Sequence, residues 1–154
     1  MTTNYNEIYD LFMLKVKDWK LETLFNTSPD DFETVLHGWM VIALPTFDNC
    51  DQSLVRNDTT ETFDATLSEK NKNFIASLMV EKWLEREVQD IRQMGLHITD
   101  RDFKHYSEAQ NLKEKSEHWS RIKELNSQES VKYSLNKPDL WSDWLSGNFY
   151  DPNQ

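Results

Sequence analysis

Four histidines, one cysteine and several close-set carboxylates are the residues that could do chemistry here, and their spacing limits what that chemistry could be. His37, His97, His105 and His118 are scattered, and none forms the H-E-x-x-H pair that sets two ligands and a base on one helix face. His97 and His105 lie across a break in the helical pattern, where convergence on a metal would be accidental. Asp48, Asp51 and Asp58 lack the alternating spacing and central glycine of a calcium loop. Glu81, Glu85, Glu87 and Asp90 read as the solvated edge of a helix, because no nearby residue supplies the second role that acid–base catalysis requires. Cys50 sits among acids in DNCDQ, which disfavours its thiolate and a nucleophilic role. With 3 glycines in the whole chain, no phosphate-cradling G-x-x-x-x-G-K, G-x-G-x-x-G or G-x-S-x-G can be built. The expectation is a protein that is not an enzyme, with no catalytic residue, metal or cofactor.

The same scarcity of turn-formers bears on the elements. Three Gly and 4 Pro in 154 residues disfavour a many-stranded sandwich and favour long helices, so an all-α single domain is expected. The apolar share is lean at 38%, but 6 Trp, 5 Tyr and 8 Phe each bring a large apolar area to a core or to a partner. Seventeen basic against 27 acidic residues, a net of −10, argues against affinity won by neutralising phosphates. A lone cysteine allows no intramolecular disulfide and suits a reducing cytoplasm. The opening MTTNYNEIYDLF has no basic region before an apolar run, and no stretch approaches 18 apolar residues. Neither secretion by the common signal nor membrane spanning is expected.

About four helices are expected. Ile8, Leu11, Phe12, Val16 and Trp19 recur at three- and four-residue spacings, an apolar stripe on a first helix over 6–19. Ser28-Pro29-Asp30-Asp31 reads as a second start, with Ser28 as cap, proline at the first helical position and acids in the first turn. Phe32, Val35, Leu36, Trp39, Met40 and Ala43 form its buried face, and Pro45 ends it. From Thr46 to Thr66 the chain is polar and without period, apart from a short anchor at Leu54-Val55. It reads either as a contact or channel-facing loop or as a plain disordered connection. Ser68 caps a third helix with Glu69 in its first turn. Phe74, Ile75, Leu78, Met79, Val80, Trp83 and Leu84 cover most of its sides, the mark of a central helix. It is expected to run to about Gln93, with Gly95 ending it.

Thr99 then caps a last helix, with Asp100 and Asp102 in its first turn. Its apolar residues Phe103, Tyr106, Ala109, Leu112, Trp119, Ile122 and Leu125 follow three-residue steps that wind around the axis. Trp119, Ile122 and Leu125 would then face a neighbouring subunit, unless the helix bends or ends near Ser116. Beyond Tyr133 the segment SLNKPDLWSDWLSGNFYDPNQ carries too many breakers for a long helix. Residues 1–133 are read as a helical domain and 134–154 as an extended tail. Trp141, Trp144, Leu145, Phe149 and Tyr150 make that tail apolar enough to dock on a partner or fold back on its own domain.

The run LSEKNKNFIASLMVEKWLEREV followed by TDRDFKHYSEAQNLKEK resembles the small helical head-tail connector (adaptor) proteins of tailed bacteriophages. The likeness lies in an apolar LMVEKWL run, a short polar spacer and an acidic-aromatic opening of a long helix. It covers about a third of the chain. The resemblance implies a structural virion protein in the neck, at the head–tail interface, made in the host cytoplasm. Its copies would form a ring, a dodecamer on the family pattern, attached beneath the portal protein. That ring would join the portal to downstream neck, stopper or tail proteins and continue the DNA channel. An acidic wall would let DNA pass without specific binding, and the C-terminal segment would reach the portal. The alternative is an acidic helical DNA mimic or regulatory protein. Such a mimic needs carboxylates gathered on one surface, whereas here they alternate with lysines in LSEKNK and NLKEKSE.

Overall fold

A computed structural model describes residues 2–97 and 102–135, with side chains for 2–93 and 110–135. The fold is all-α with one small sheet, and it has five α-helices rather than four among the described residues. These are α1 (Tyr5–Lys15), α2 (Trp19–Thr27), α3 (Pro29–Ala43), α4 (Glu69–His97) and α5 (Asp102–Leu135).

The additional helix arises from the expected first one. Asn4 caps α1 through its side chain, and Glu7 reaches back to the Asn4 backbone to complete a capping box. Val16 then turns extended, and Asp18, also extended, caps α2 by accepting from the Lys20 N–H at 2.8 Å. Ile8, Phe12 and Val16 are buried as the stripe requires, but Trp19 starts the new helix and is 71% exposed. Ser28 opens α3 before Pro29, yet its hydroxyl donates to Asp31 Oδ2 at 2.7 Å and caps no backbone N–H. The α3 face holds: Phe32, Leu36, Trp39, Met40 and Ala43 are buried and Val35 is half-buried. After α3 ends at Ala43, a 3-10 turn over Leu44–Thr46 contains Pro45.

The polar 46–66 segment has structure of its own. Strands β2 (Arg56–Asn57) and β3 (Thr62–Phe63) form a hairpin, and β3 also pairs antiparallel with β1 (Thr3–Asn4), in the order β1-β3-β2. Asn57 Oδ1 accepts from the N–H groups of Thr59 and Thr60 within the turn, and Glu61 takes a left-handed φ of 52°. Thr3 bonds Ala65 and Leu67 from the other side, and Phe63 is fully buried. Leu54 is partly buried, whereas Val55 is exposed.

Ser68 caps α4, accepting from the Asn71 N–H at 3.2 Å. Around its first half the helix is buried on most sides, with Ile75, Ala76 and Met79 fully enclosed. Lys72, buried there, pairs with Glu69 and with Glu7 of α1, and its hydrogen bond holds the Glu7 carboxyl below its usual range. Gly95 does not end α4, which continues to His97. An α-helix tolerates an internal glycine at about 1 kcal/mol when neighbouring turns continue the ladder. Thr99 and Asp100 lie outside the described residues.

Helices α4 and α5 are antiparallel, because Glu87 meets Lys115, Glu81 meets Asn126 and Asn71 meets Tyr133. Over 110–135, where its side chains are described, α5 keeps one buried face. Trp119, Asn126 and Tyr133 recur every seven residues on the side packed inward, with Asn126 and Tyr133 bonded to α4, a coiled-coil-like seam that holds one face over successive turns. The residue on the seam is Asn126, buried and hydrogen-bonded to the Ser77 carbonyl and Glu81. Leu125, its neighbour, is 50% exposed.

Candidate functional site

Two concavities collect the polar side chains that the fold leaves accessible. The first, of about 350 Å³, is lined by Tyr9 of α1, Asp30, Glu33, Thr34 and His37 of α3, and Asp58 and Glu61 of the hairpin turn. Proline at the start of α3 sets Asp30 and Glu33 on its first turns, and the hairpin brings Asp58 and Glu61 opposite them. Asp58 Oδ1 accepts from the Tyr5 hydroxyl at 2.8 Å and pairs with Arg56 at 3.2 Å. The His37 ring stacks on Tyr5, with centroids 5.6 Å apart, and its Nδ1 lies 3.3 Å from the Tyr9 hydroxyl. Burial together with the surrounding carboxylates pushes the Tyr5 and Tyr9 phenols well above their usual range.

Tyr9, His37 and Asp58 have the residue types of a proton relay but not its geometry. His37 Nε2 is 3.9 Å from Asp58, beyond hydrogen-bond reach, and a Tyr9 phenol held protonated is a poor nucleophile. What this concavity offers is negative charge with aromatic walls, a setting for a cation.

The second concavity, of about 480 Å³, opens where the start of α2 meets α4 and α5. It is lined by Lys17, Asp18, Trp19, Lys20, Trp83, Glu87, Ile91, Asn111 and Lys115. Glu87 accepts from Lys115 at 2.6 Å and lies 3.7 Å from Lys20. Burial raises its pKa, but the hydrogen bond from Lys115 and the charges of Lys115 and Lys20 outweigh that, and the net shift is downward. Lysine and tryptophan are thus concentrated at one corner of an acidic chain.

Of the other carboxylates noted as possible chemistry, Glu81, Glu85, Asp90 and Asp51 are engaged within the fold. Glu81 accepts from Asn126, Glu85 pairs with Lys82 at 3.4 Å, and Arg86 lies 3.8 Å from Asp90. Asp51 accepts from Asn71, and burial first of all raises the Cys50 thiol. Among the described residues no cluster of His, Cys, Asp or Glu could hold a metal ion, and no helix is long and apolar enough to cross a membrane. The side chains of His97 and His105 lie outside the described ones.

The residues expected to meet a neighbouring subunit separate. Trp119 and Ile122 pack against the chain's own core, so they do not point away from it. The Trp119 indole N–H is buried there without an acceptor among the described residues. Leu125 stays outside, on the rim of a 210 Å³ hollow shared with Lys15, Val80 and His118. Trp141, Trp144, Leu145, Phe149 and Tyr150 lie outside the described residues. The exposed Lys17–Lys20 corner was missed because Trp19 fits the spacing of the α1 stripe. The available signal was Asp18 followed by Glu22, an N-cap and a first-turn acid that mark a new helix start.

Comparison with family models, curated proteins and solved structures returned no match.

Proposed function

We propose that this chain is a structural connector subunit that assembles into a ring joining a capsid portal to neck or tail proteins and continuing the DNA channel. The observation that supports this reading best is that large apolar side chains are left exposed on several separate elements of the fold. Leu14, Trp19 and Phe25 stand out on α1 and α2, Ile42 on α3, Val55 just before β2, and Leu125, Val131 and Leu135 on α5. A subunit in a ring needs two unlike patches, one for each neighbour, whereas a closed pair needs only one. The antiparallel α4 and α5, built on the segments that carry the resemblance, are long helices of the kind that could line a passage. The net charge of −10 suits a wall along which DNA slides without adhering. In this reading the tail residues Trp141, Trp144, Leu145, Phe149 and Tyr150 anchor the ring to the portal.

Electron microscopy of the full chain mixed with its cognate portal ring tests the proposal. An added ring of density on the outer end of the portal is the expected result. Portals that stay bare at saturating protein would end the connector reading. A variant lacking residues 140–154 that remains folded but leaves portals bare would assign the contact to the tail.

A further inference from the structure

We propose that the Lys17–Lys20 corner is the surface by which one copy of this chain docks on the next, seating in the acidic concavity at the start of α3. The inference deepens the ring reading above and takes its occupant from charge. On a chain with a net charge of −10, two copies repel unless their contact brings opposite local charges together. Lys17, Trp19 and Lys20 form the exposed basic-aromatic corner, beside Leu14, which is 83% exposed. Lys20 lies 3.7 Å from Glu87, and its side chain is 60% exposed, within reach of a neighbouring molecule.

The receiving surface has the complementary sign and shape. Asp30, Glu33, Asp58 and Glu61 surround a hollow of about 350 Å³, enough for one or two long side chains, with Tyr9 and His37 as aromatic walls. Within one copy the two surfaces cannot satisfy each other. The corner opens α2 and the concavity begins just past its end, and nine helical residues hold them about 13 Å apart along the axis. Each copy therefore presents a basic corner to one neighbour and an acidic hollow to the other. Such a heterologous contact extends copy by copy and closes into a ring where the rotation permits.

Sedimentation velocity of the full chain at low ionic strength tests this with two charge-reversed variants, K17E/K20E and E33K/E61K, each checked for native helicity. The wild type should associate in proportion to concentration and dissociate with added salt. Each variant alone should associate about a hundredfold more weakly. Mixed in equal amounts, they join the intact corner of one to the intact hollow of the other, and the two reversed surfaces are again of opposite sign, so pairs and larger assemblies should return. A wild type that stays monomeric, a reversed variant that associates normally, or a mixture without pairs would each overturn the inference. The portal experiment separates this idea from the one it rests on. Complete rings formed on portals by either reversed variant would reject this contact and keep the connector. Pairs in the mixture with bare portals would keep the contact and reject the connector.

Discussion

The hydroxyl of Tyr133, near the end of α5, donates to Asn71 Oδ1 at 2.7 Å, across 62 positions of chain. Asn71 has no exposed surface, and its Nδ2 donates to Asp51 at 2.8 Å and to Gln52 at 2.7 Å. Gln52 in turn accepts from the Ser68 N–H and donates to the Thr66 carbonyl. One buried amide thus ties the start of α4, the end of α5 and the loop after α3 to each other. The Tyr133 ring also meets Phe47 and Phe74, at centroid distances of 4.8 and 5.3 Å.

Replacing that amide should be among the more damaging single changes in the protein. Asn71→Ala removes three side-chain hydrogen bonds and leaves the buried Tyr133 hydroxyl without its acceptor, for a loss of about 3 kcal/mol. Urea denaturation should show a lower midpoint with an unchanged slope. A loss under about 1 kcal/mol would mean that water replaces the network without penalty.

Alkaline pH should loosen the same junction. Burial, before any charge effect, pushes the Tyr133 phenol from its ordinary value of 10.0 up to about 12. A raised pKa contributes stability that is complete below pH 10 and is lost as the pH climbs towards 12. Tyr5 and Tyr9 share the direction. Tyr133→Phe should lower stability at pH 7 by about 1–2 kcal/mol and make the alkaline decline shallower. An equally steep decline in that variant would place the effect on other groups.

On the seam, Asn126 allows a choice between two substitutions. Asn126→Ala forfeits the bonds to Ser77 and Glu81 and leaves a void, so a loss of about 2 kcal/mol is expected. Asn126→Leu restores apolar packing between two helices and should lose less than the alanine variant. Thermal melts of the pair decide it, and the reverse ranking would show that the hydrogen bonds outweigh the packing.

Gly38 sits inside α3, and a methyl group placed there would meet nothing within 4 Å. Gly38→Ala should therefore raise stability by about 1 kcal/mol, because the unfolded chain loses freedom that the helix does not need. A lower melting temperature would point to a packing role for the glycine.

Much of the fold was legible because helix starts and apolar faces are local properties. Ser68 and Glu69, Pro29 with its following acids, and the crowded face from Phe74 to Leu84 can each be read within two or three turns, and each element formed as its pattern required. Trp19 and Leu125 show where local reading ends. Both fit an apolar spacing, and both are exposed, because Val16 leaves the helix before Trp19 and because the seam of α5 runs through Asn126. A polar residue can occupy a seam only if the opposite helix supplies its hydrogen bonds, and Ser77 and Glu81 lie 49 and 45 positions away. The concavities belong to the same class. That His37 would lie against Tyr9 and Tyr5, or that Lys17 and Lys20 would frame a hollow with Lys115, depends on how helices distant in sequence pack. The sequence by itself determined an acidic all-α chain and the elements that compose it. Tertiary structure alone decided which polar groups became buried partners and which charged ones stayed accessible. Burial and pairing are properties of neighbours in space, and no local spacing encodes them.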